Sequence, residues 1–245
     1  LTDLDSFFVH NGFIMFGPYS TLTTLRKNLE FLGNSRLCFR FSNLASFLIL
    51  TPGAAIYDLM AEENRLIHKS NFWELPDYEF SNPLVLKLAQ HFQEVRGCYS
   101  NIDIGNNLVI SCQNLLSRLK NKMNRNIVSQ CGKEIQDFTT VFNQSTDVLQ
   151  ELGYESFKIS LDRIEKDGMS ANLMSNSDTY FGKEREAAVL ELKDSYDNLC
   201  AFIESSGFGL GGVVFKQWFR GRESLNSGLK GMQVREDPEA VFQEC

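Results

Sequence analysis

Apolar side chains recur along the middle of this chain at intervals of three and four: Leu108, Cys112, Leu115, Leu119, Met123, Ile127, Cys131, Ile135, Phe138, Phe142, Leu149 and Leu152, with Ser145 in the same register. Residues so spaced share one face of an α-helix, so the stripe predicts a long amphipathic helix, or two helices broken near Gly132. Too many fours follow one another for a strict heptad. The pattern therefore predicts a helical hairpin or coiled-coil-like spine and not a pure parallel coiled coil.

Start and stop chemistry predicts further helices on either side. Thr51-Pro52 and Asn82-Pro83 each pair a side-chain acceptor with a proline at the first helical position, where the missing N–H is not needed. A helix from the first would present Ile56, Leu59, Met60, Glu63, Leu66 and Ile67. A helix from the second would present Leu84, Leu88, Phe92 and Val95 before a stop at Gly97. Residues 20–32, closed by Gly33, read the same way. After Gly153 a shorter helix is expected over residues 156–166, ending at Asp167-Gly168, followed by a polar loop through Ser177. Another helix is expected over residues 183–205, with Ala187, Leu190, Tyr196, Leu199 and Ile203 as its apolar stripe.

One segment has a different period. Asn11-Gly12 lies between the β-prone arms 7–10 and 13–16, and a type I′ turn wants residues that tolerate positive φ at both central positions. This predicts a hairpin. Leu37, Phe39 and Phe41 alternate with Arg36, Cys38 and Arg40, which suits a third strand. The expected fold is mainly α: a multi-helix bundle with a long central helix or helical hairpin and a small N-terminal antiparallel β element. Residues 1–104 would hold the hairpin and the first helices. Residues 105–245 would hold the long-helix region, packed with the first part as one domain or as a closely associated second one.

Composition supports a packed core, since 43% of the residues are hydrophobic and 22% charged, close to ordinary globular usage. The longest uncharged run, residues 41–56, falls short of the ~20 residues a spanning helix needs, and Pro52-Gly53 interrupts it. We expect a buried core helix pair there, and membrane contact that is at most peripheral. The net charge of −7 repels phosphate backbones, so no nucleic-acid partner is expected. Six cysteines are scattered without metal-like spacing and no signal-peptide pattern begins the chain, which suits reduced thiols in a cytoplasmic protein. The first residue is not Met, and a helix start at Asp237-Pro238 leaves only about two turns before Cys245. Both suggest a longer parent polypeptide.

Candidate chemistry is sparse. The run from Gly207 to Val214 fits G-x-G-x-x-G-x-V, yet it follows a helix and lacks the downstream kinase motifs, so it reads as a helix cap and connection. The histidines are His10, His68 and His91, and Cys98, just after Gly97, is the cysteine closest in sequence to one of them. Cys98 with His91 is thus the one catalytic pair to test, since a thiol nucleophile needs an adjacent base. Glu62-Glu63 and Glu184 with Glu186 are ordinary for solvated helix faces. No motif calls for a cofactor or metal. A basic cluster stands out instead: Arg118, Lys120, Lys122 and Arg125, of which Arg118, Lys122 and Arg125 share a helix face at i, i+4 and i+7. The expected function is a helical protein–protein interaction module, an adaptor, effector or assembly subunit, with a protein partner that the basic face would suit if acidic. Self-association is open to it. The alternative is a cysteine-dependent enzyme whose residues converge only in the fold.

Overall fold

The computed structural model describes residues 13–67, 77–98, 102–120, 131–173 and 183–205. Of these, 74% are helical, far above the ~30–35% of average globular proteins. Seven α-helices occupy them: α1 Leu22–Asn34, α2 Phe41–Leu44, α3 Ala55–Glu62, α4 Pro83–Cys98, α5 Ile102–Lys120, α6 Gly132–Asp167 and α7 Lys183–Ser205. A 3-10 turn, Gly168–Ser170, follows α6. The chain divides into two compact units. Among the described residues, one collects α5, α6 through Leu149, and α7; the other collects α1 to α3, α4 through Arg96, and α6 from Gln150 on.

Local chemistry explains most helix ends. Thr21 caps α1 by a reciprocal box: its Oγ1 accepts from Thr24 N at 3.1 Å while Thr24 Oγ1 accepts from Thr21 N at 2.8 Å. At the other end Arg36 takes φ 54°, so that Leu37 N reaches back to Leu32 O at 2.8 Å. The same left-handed exit closes α3, with Asn64 at φ 55° and Arg65 N donating to Met60 O at 2.9 Å. α4 begins as expected at Asn82-Pro83, where Asn82 Oδ1 accepts from Leu84 N at 2.9 Å. The other proline signal misleads. Residues 51–54 form a turn closed by Ala54 N to Thr51 O at 3.0 Å, with Gly53 at φ +87°, and α3 begins only at Ala55. Pro-Gly at the centre of a type II turn outcompetes Pro as a helix starter.

The β expectation is not supported. Asn11-Gly12 lies outside the described residues, and no strand occurs among those described. Pairing is limited to isolated bridges, Phe16 with Phe47 in parallel and Leu66 with Tyr78 in antiparallel sense. Residues 37–41 make a turn into α2 instead of a third strand. Asn43 causes this: its Nδ2 donates to Leu37 O at 3.1 Å and its backbone N to Arg40 O at 2.9 Å. The uncharged run at 41–56 is therefore one helical turn, a bridge and a tight turn, not a helix pair.

In the unit holding α1 to α4, a line of aromatic rings forms the centre. Successive centroids run Phe41 to Phe92 at 5.7 Å, Phe92 to Phe157 at 4.7 Å, Phe157 to Phe16 at 6.0 Å, and Phe16 to Phe47 at 5.6 Å. Phe80 continues it at 6.1 Å from Phe47 and 5.2 Å from Tyr78, whose hydroxyl donates to Phe16 O at 3.3 Å. Burial plus offset ring packing makes such a line the main source of stability here; deleting a buried Phe side chain typically costs ~3–5 kcal/mol. Arg65 ties down the rim: it bonds Glu63 at 2.8 Å and Glu79 O at 2.6 Å, and lies over the Tyr19 ring at 5.0 Å.

The unit holding α5, the first half of α6 and α7 confirms the central stripe. Leu108, Cys112, Leu115, Leu119, Cys131, Phe138, Phe142, Ser145 and Leu149 are all buried. The stripe's described positions belong to α5 and α6, with Cys131 just before α6, while Met123 and Ile127 lie outside the described residues. Gly105 faces Arg185 and Val189 of α7, while Cys112 lies near Cys200, so the two helices advance in the same sense. The stripe expected on α7 holds in its last turns, where Leu199 and Ile203 are buried, and differs in its first, where Ala187 and Leu190 are exposed and Arg185, Ala188, Val189 and Leu192 are buried instead.

Three glycines read as helix stops lie inside helices. α1 continues past Gly33 to Asn34, α4 past Gly97 to Cys98, and α6 runs unbroken through Gly153. A Cβ at Gly33 would stand 2.8 Å from the Tyr154 ring, and one at Gly153 would fall on the Cys38 carbonyl oxygen. Glycine is needed for close approach at both positions. Gly132, at the start of α6, has nothing within 4 Å of such a Cβ. Gly153→Ala should therefore destabilise the protein by about 2 kcal/mol or more despite the better helix propensity of alanine, while Gly132→Ala should be neutral or stabilising by up to about 1 kcal/mol. Urea unfolding of the two variants measures this contrast.

Candidate functional site

His91 projects from α4 into the aromatic line, 6% exposed, with its ring edge-on to Phe92 at 5.3 Å. Its Nδ1 has no hydrogen-bond partner, and burial pushes its pKa down to about 4. It is neutral at physiological pH. Cys98 is the last residue of α4, seven positions on, which separates the two residues by about 10 Å along the helix axis. Arg118 and Lys120 occupy the last turn of α5, while Lys122 and Arg125 lie outside the described residues, as do the glycine run at 207–214 and Cys245.

The thiols whose surroundings are described are buried: Cys38, Cys112, Cys131 and Cys200 are all free. Burial pushes the Cys38 thiol up to about 12, against a smaller opposing effect of the Gln150 hydrogen bond. Burial likewise raises Cys112, and the neighbouring Cys200 thiol adds to the effect. Tyr196, next to Cys200, is raised for the same reason. With their pKa raised, Cys38 and Cys112 hold their protons and are poor nucleophiles. Among the described residues no group of three His, Cys, Asp or Glu side chains could hold a metal ion.

Surface charges are engaged in bracing. Arg26 on α1 reaches Asp162 at 2.7 Å and Glu165 at 2.6 Å on α6. Glu63 is held below the usual carboxylate range by the Tyr19 hydroxyl, which donates to it at 2.7 Å, and by Arg65. Arg40 differs. It is 5% exposed and its Nε has no acceptor; its guanidinium lies 5.4 Å from the Phe39 ring centre, and burial lowers its pKa.

The surface with the strongest binding character is aromatic. Residues 13–15 run beside α1, fixed by Asn28 Nδ2 donating to Met15 O at 3.3 Å. This stacks Phe13 on Phe31, centroids 5.6 Å apart and planes 12° from parallel. Phe31 nevertheless remains 53% exposed and Ile14 51%. The buried stripe of α1 is Leu25, Leu29 and Leu32, so Phe31 stands off it. An aromatic on the polar side of a helix was the available sequence signal, and the stripe-based reading passed over it. No protein-family model, curated protein or solved structure matches this chain. Among the described residues no helix is long and apolar enough to cross a membrane.

Two outcomes follow from these environments. The unfolded chain takes up a proton at His91 near pH 6.5, which the folded chain resists until about pH 4. Stability contributed at this site is thus present above pH 6.5 and lost as pH falls through that window, by about 3 kcal/mol in total. His91→Leu should flatten the acid limb of a stability-versus-pH curve relative to wild type. Native alkylation with iodoacetamide at pH 8, read by peptide mass spectrometry, should leave Cys38, Cys112, Cys131 and Cys200 unlabelled until denaturant is added.

Proposed function

We propose that this protein is a helical protein–protein interaction module, an adaptor, effector or assembly subunit, that docks a partner on the face made by Phe13, Ile14 and Phe31. The observation that carries the reading is the stacked Phe13–Phe31 pair, held in place with Phe13 half-buried and Phe31 exposed to solvent. Aromatic rings already ordered in the free protein lose little entropy on binding and bring large apolar area, which is why they concentrate in interface centres. The basic run of Arg118, Lys120, Lys122 and Arg125, which begins in the last turn of α5, is the second proposed surface and suits an acidic partner. A reducing, cytoplasmic setting suits four buried thiols that form no disulfide.

The test is quantitative affinity purification from cells with wild type, Phe31→Glu and the control Lys27→Glu, each paired with a thermal melt. Phe31→Glu should lose a discrete co-purifying protein about tenfold or more, with a stability change within about 1 kcal/mol because the ring is exposed. Lys27→Glu, on the same helix, should keep it. An unchanged set of co-purifying proteins in Phe31→Glu would end the aromatic-face reading. Reversal of Arg118, Lys122 and Arg125 to Glu tests the basic surface in the same assay: lost stability with no selective loss of a partner would end that part.

A further inference from the structure

Arg40 is a permanently charged side chain, largely withdrawn from solvent, with no counter-charge among the described residues. Its relative exposure is 5%, its Nε meets no acceptor, and no hydrogen bond or ion pair to its guanidinium occurs among the described residues. Sequence explains the lack of a local partner, because no acidic residue lies between Glu30 and Asp58. The surrounding backbone is already committed: Leu37 O accepts from Arg40 N and from Asn43 Nδ2, and Arg40 O accepts from Asn43 N. Phe39 offers only its π face, at 5.4 Å from the guanidinium carbon. A ring face attracts a cation but replaces neither the hydrogen bonds nor the neutralising charge that a desolvated guanidinium requires. Arginine cannot discharge itself by losing a proton, as lysine or histidine can.

The geometry points to Arg40 as a recessed receptor for an oxyanion, a carboxylate or phosphate group that enters from solvent and is gripped by the guanidinium fork. The planar fork matches two oxygens of such a group by parallel charge-assisted hydrogen bonds, and the buried setting makes the pairing stronger than at an exposed arginine. The site stands whether or not the Phe31 face binds a protein. Its ligand is either a free ion or the side-chain carboxylate of another chain.

Thermal melts of the whole chain in inorganic phosphate, in acetate and in chloride at matched ionic strength test this. Wild type should show a saturable rise in Tm with phosphate or acetate beyond that in chloride. A lower half-saturating concentration for phosphate assigns a free phosphate-type ion, and a lower one for acetate assigns a carboxylate side chain. Arg40→Met removes the charge while keeping an unbranched apolar stem, so it should be at least as stable as wild type in chloride and should not respond to either oxyanion. Arg40→Lys keeps the charge without the fork and should need about tenfold more oxyanion for the same response. Equal responses to all three salts in wild type would overturn the proposal. So would an oxyanion response retained by Arg40→Met, or a marked loss of stability of that variant in chloride, which would show the charge to be satisfied internally.

Discussion

The carbonyl of Cys38 occupies the place where residue 153 would carry a side chain. One face of α6 is organised around that approach. Three residues earlier, Gln150 accepts from Phe39 N at 3.1 Å and donates to Gly33 O at 3.5 Å, holding both ends of the turn that contains Cys38. One residue later, Tyr154 lies on Gly33. Four residues after Gly153, Phe157 packs against both Phe16 and Phe92, and further on Asp162 and Glu165 hold Arg26. Positions 150, 153, 154, 157 and 161 lie on one helix face by their spacing alone, so a single residue without a Cβ lets the whole face meet the 33–39 segment and the ring line.

The same residue shows where reading the sequence succeeds and where it fails. Periodicity was legible: the apolar stripe from Leu108 to Leu149 is buried at its described positions except Ile135, which is half-buried, and the bounds of α7 match the expected 183–205. Chemistry that acts within a few residues was legible too, as at Asn82-Pro83 and at Gly168, where φ is +58° and α6 ends. Glycine is ambiguous because its missing Cβ serves two purposes, a left-handed exit or a close approach, and only the second depends on residues distant in sequence. Gly33 and Gly153 serve the second, while the exit after α1 falls to Arg36, a residue that no propensity argument would choose. The alternating 36–41 segment failed for a related reason. A local bond from Asn43 to Leu37 O fixes it as a turn, and no period reveals that bond.

Functional residues were less legible than structural ones. His91 follows the same rule as the apolar residues around it, sitting beside Phe92 on the inward side of α4, and its chemistry is muted by that position. Cys98 and His91 are close in sequence because one helix carries both, and that same helix sets them two turns apart. Phe31, the docking residue we propose, was overlooked because the apolar stripe defines a helix by what it buries, whereas an exposed ring is one that the stripe does not account for.

Both units hold side-chain polar atoms withdrawn from water without a hydrogen bond, among them Oδ1 of Asp77, Nδ1 of His91 and Nε of Arg40 in one and Nδ2 of Asn106 and the hydroxyls of Ser145 and Thr146 in the other. Each such group costs roughly 1–3 kcal/mol relative to a satisfied one. The costs differ in kind, however. A hydroxyl or amide is neutral and meets only the loss of a hydrogen bond, and His91 escapes a charge penalty by remaining unprotonated down to about pH 4. Arg40 has neither escape, because a guanidinium keeps its proton at any physiological pH. Nor does the adjacent sequence supply a carboxylate. Arg40 is thus a buried charge whose electrostatics the described residues leave incomplete, and a component that completes them has to carry negative charge.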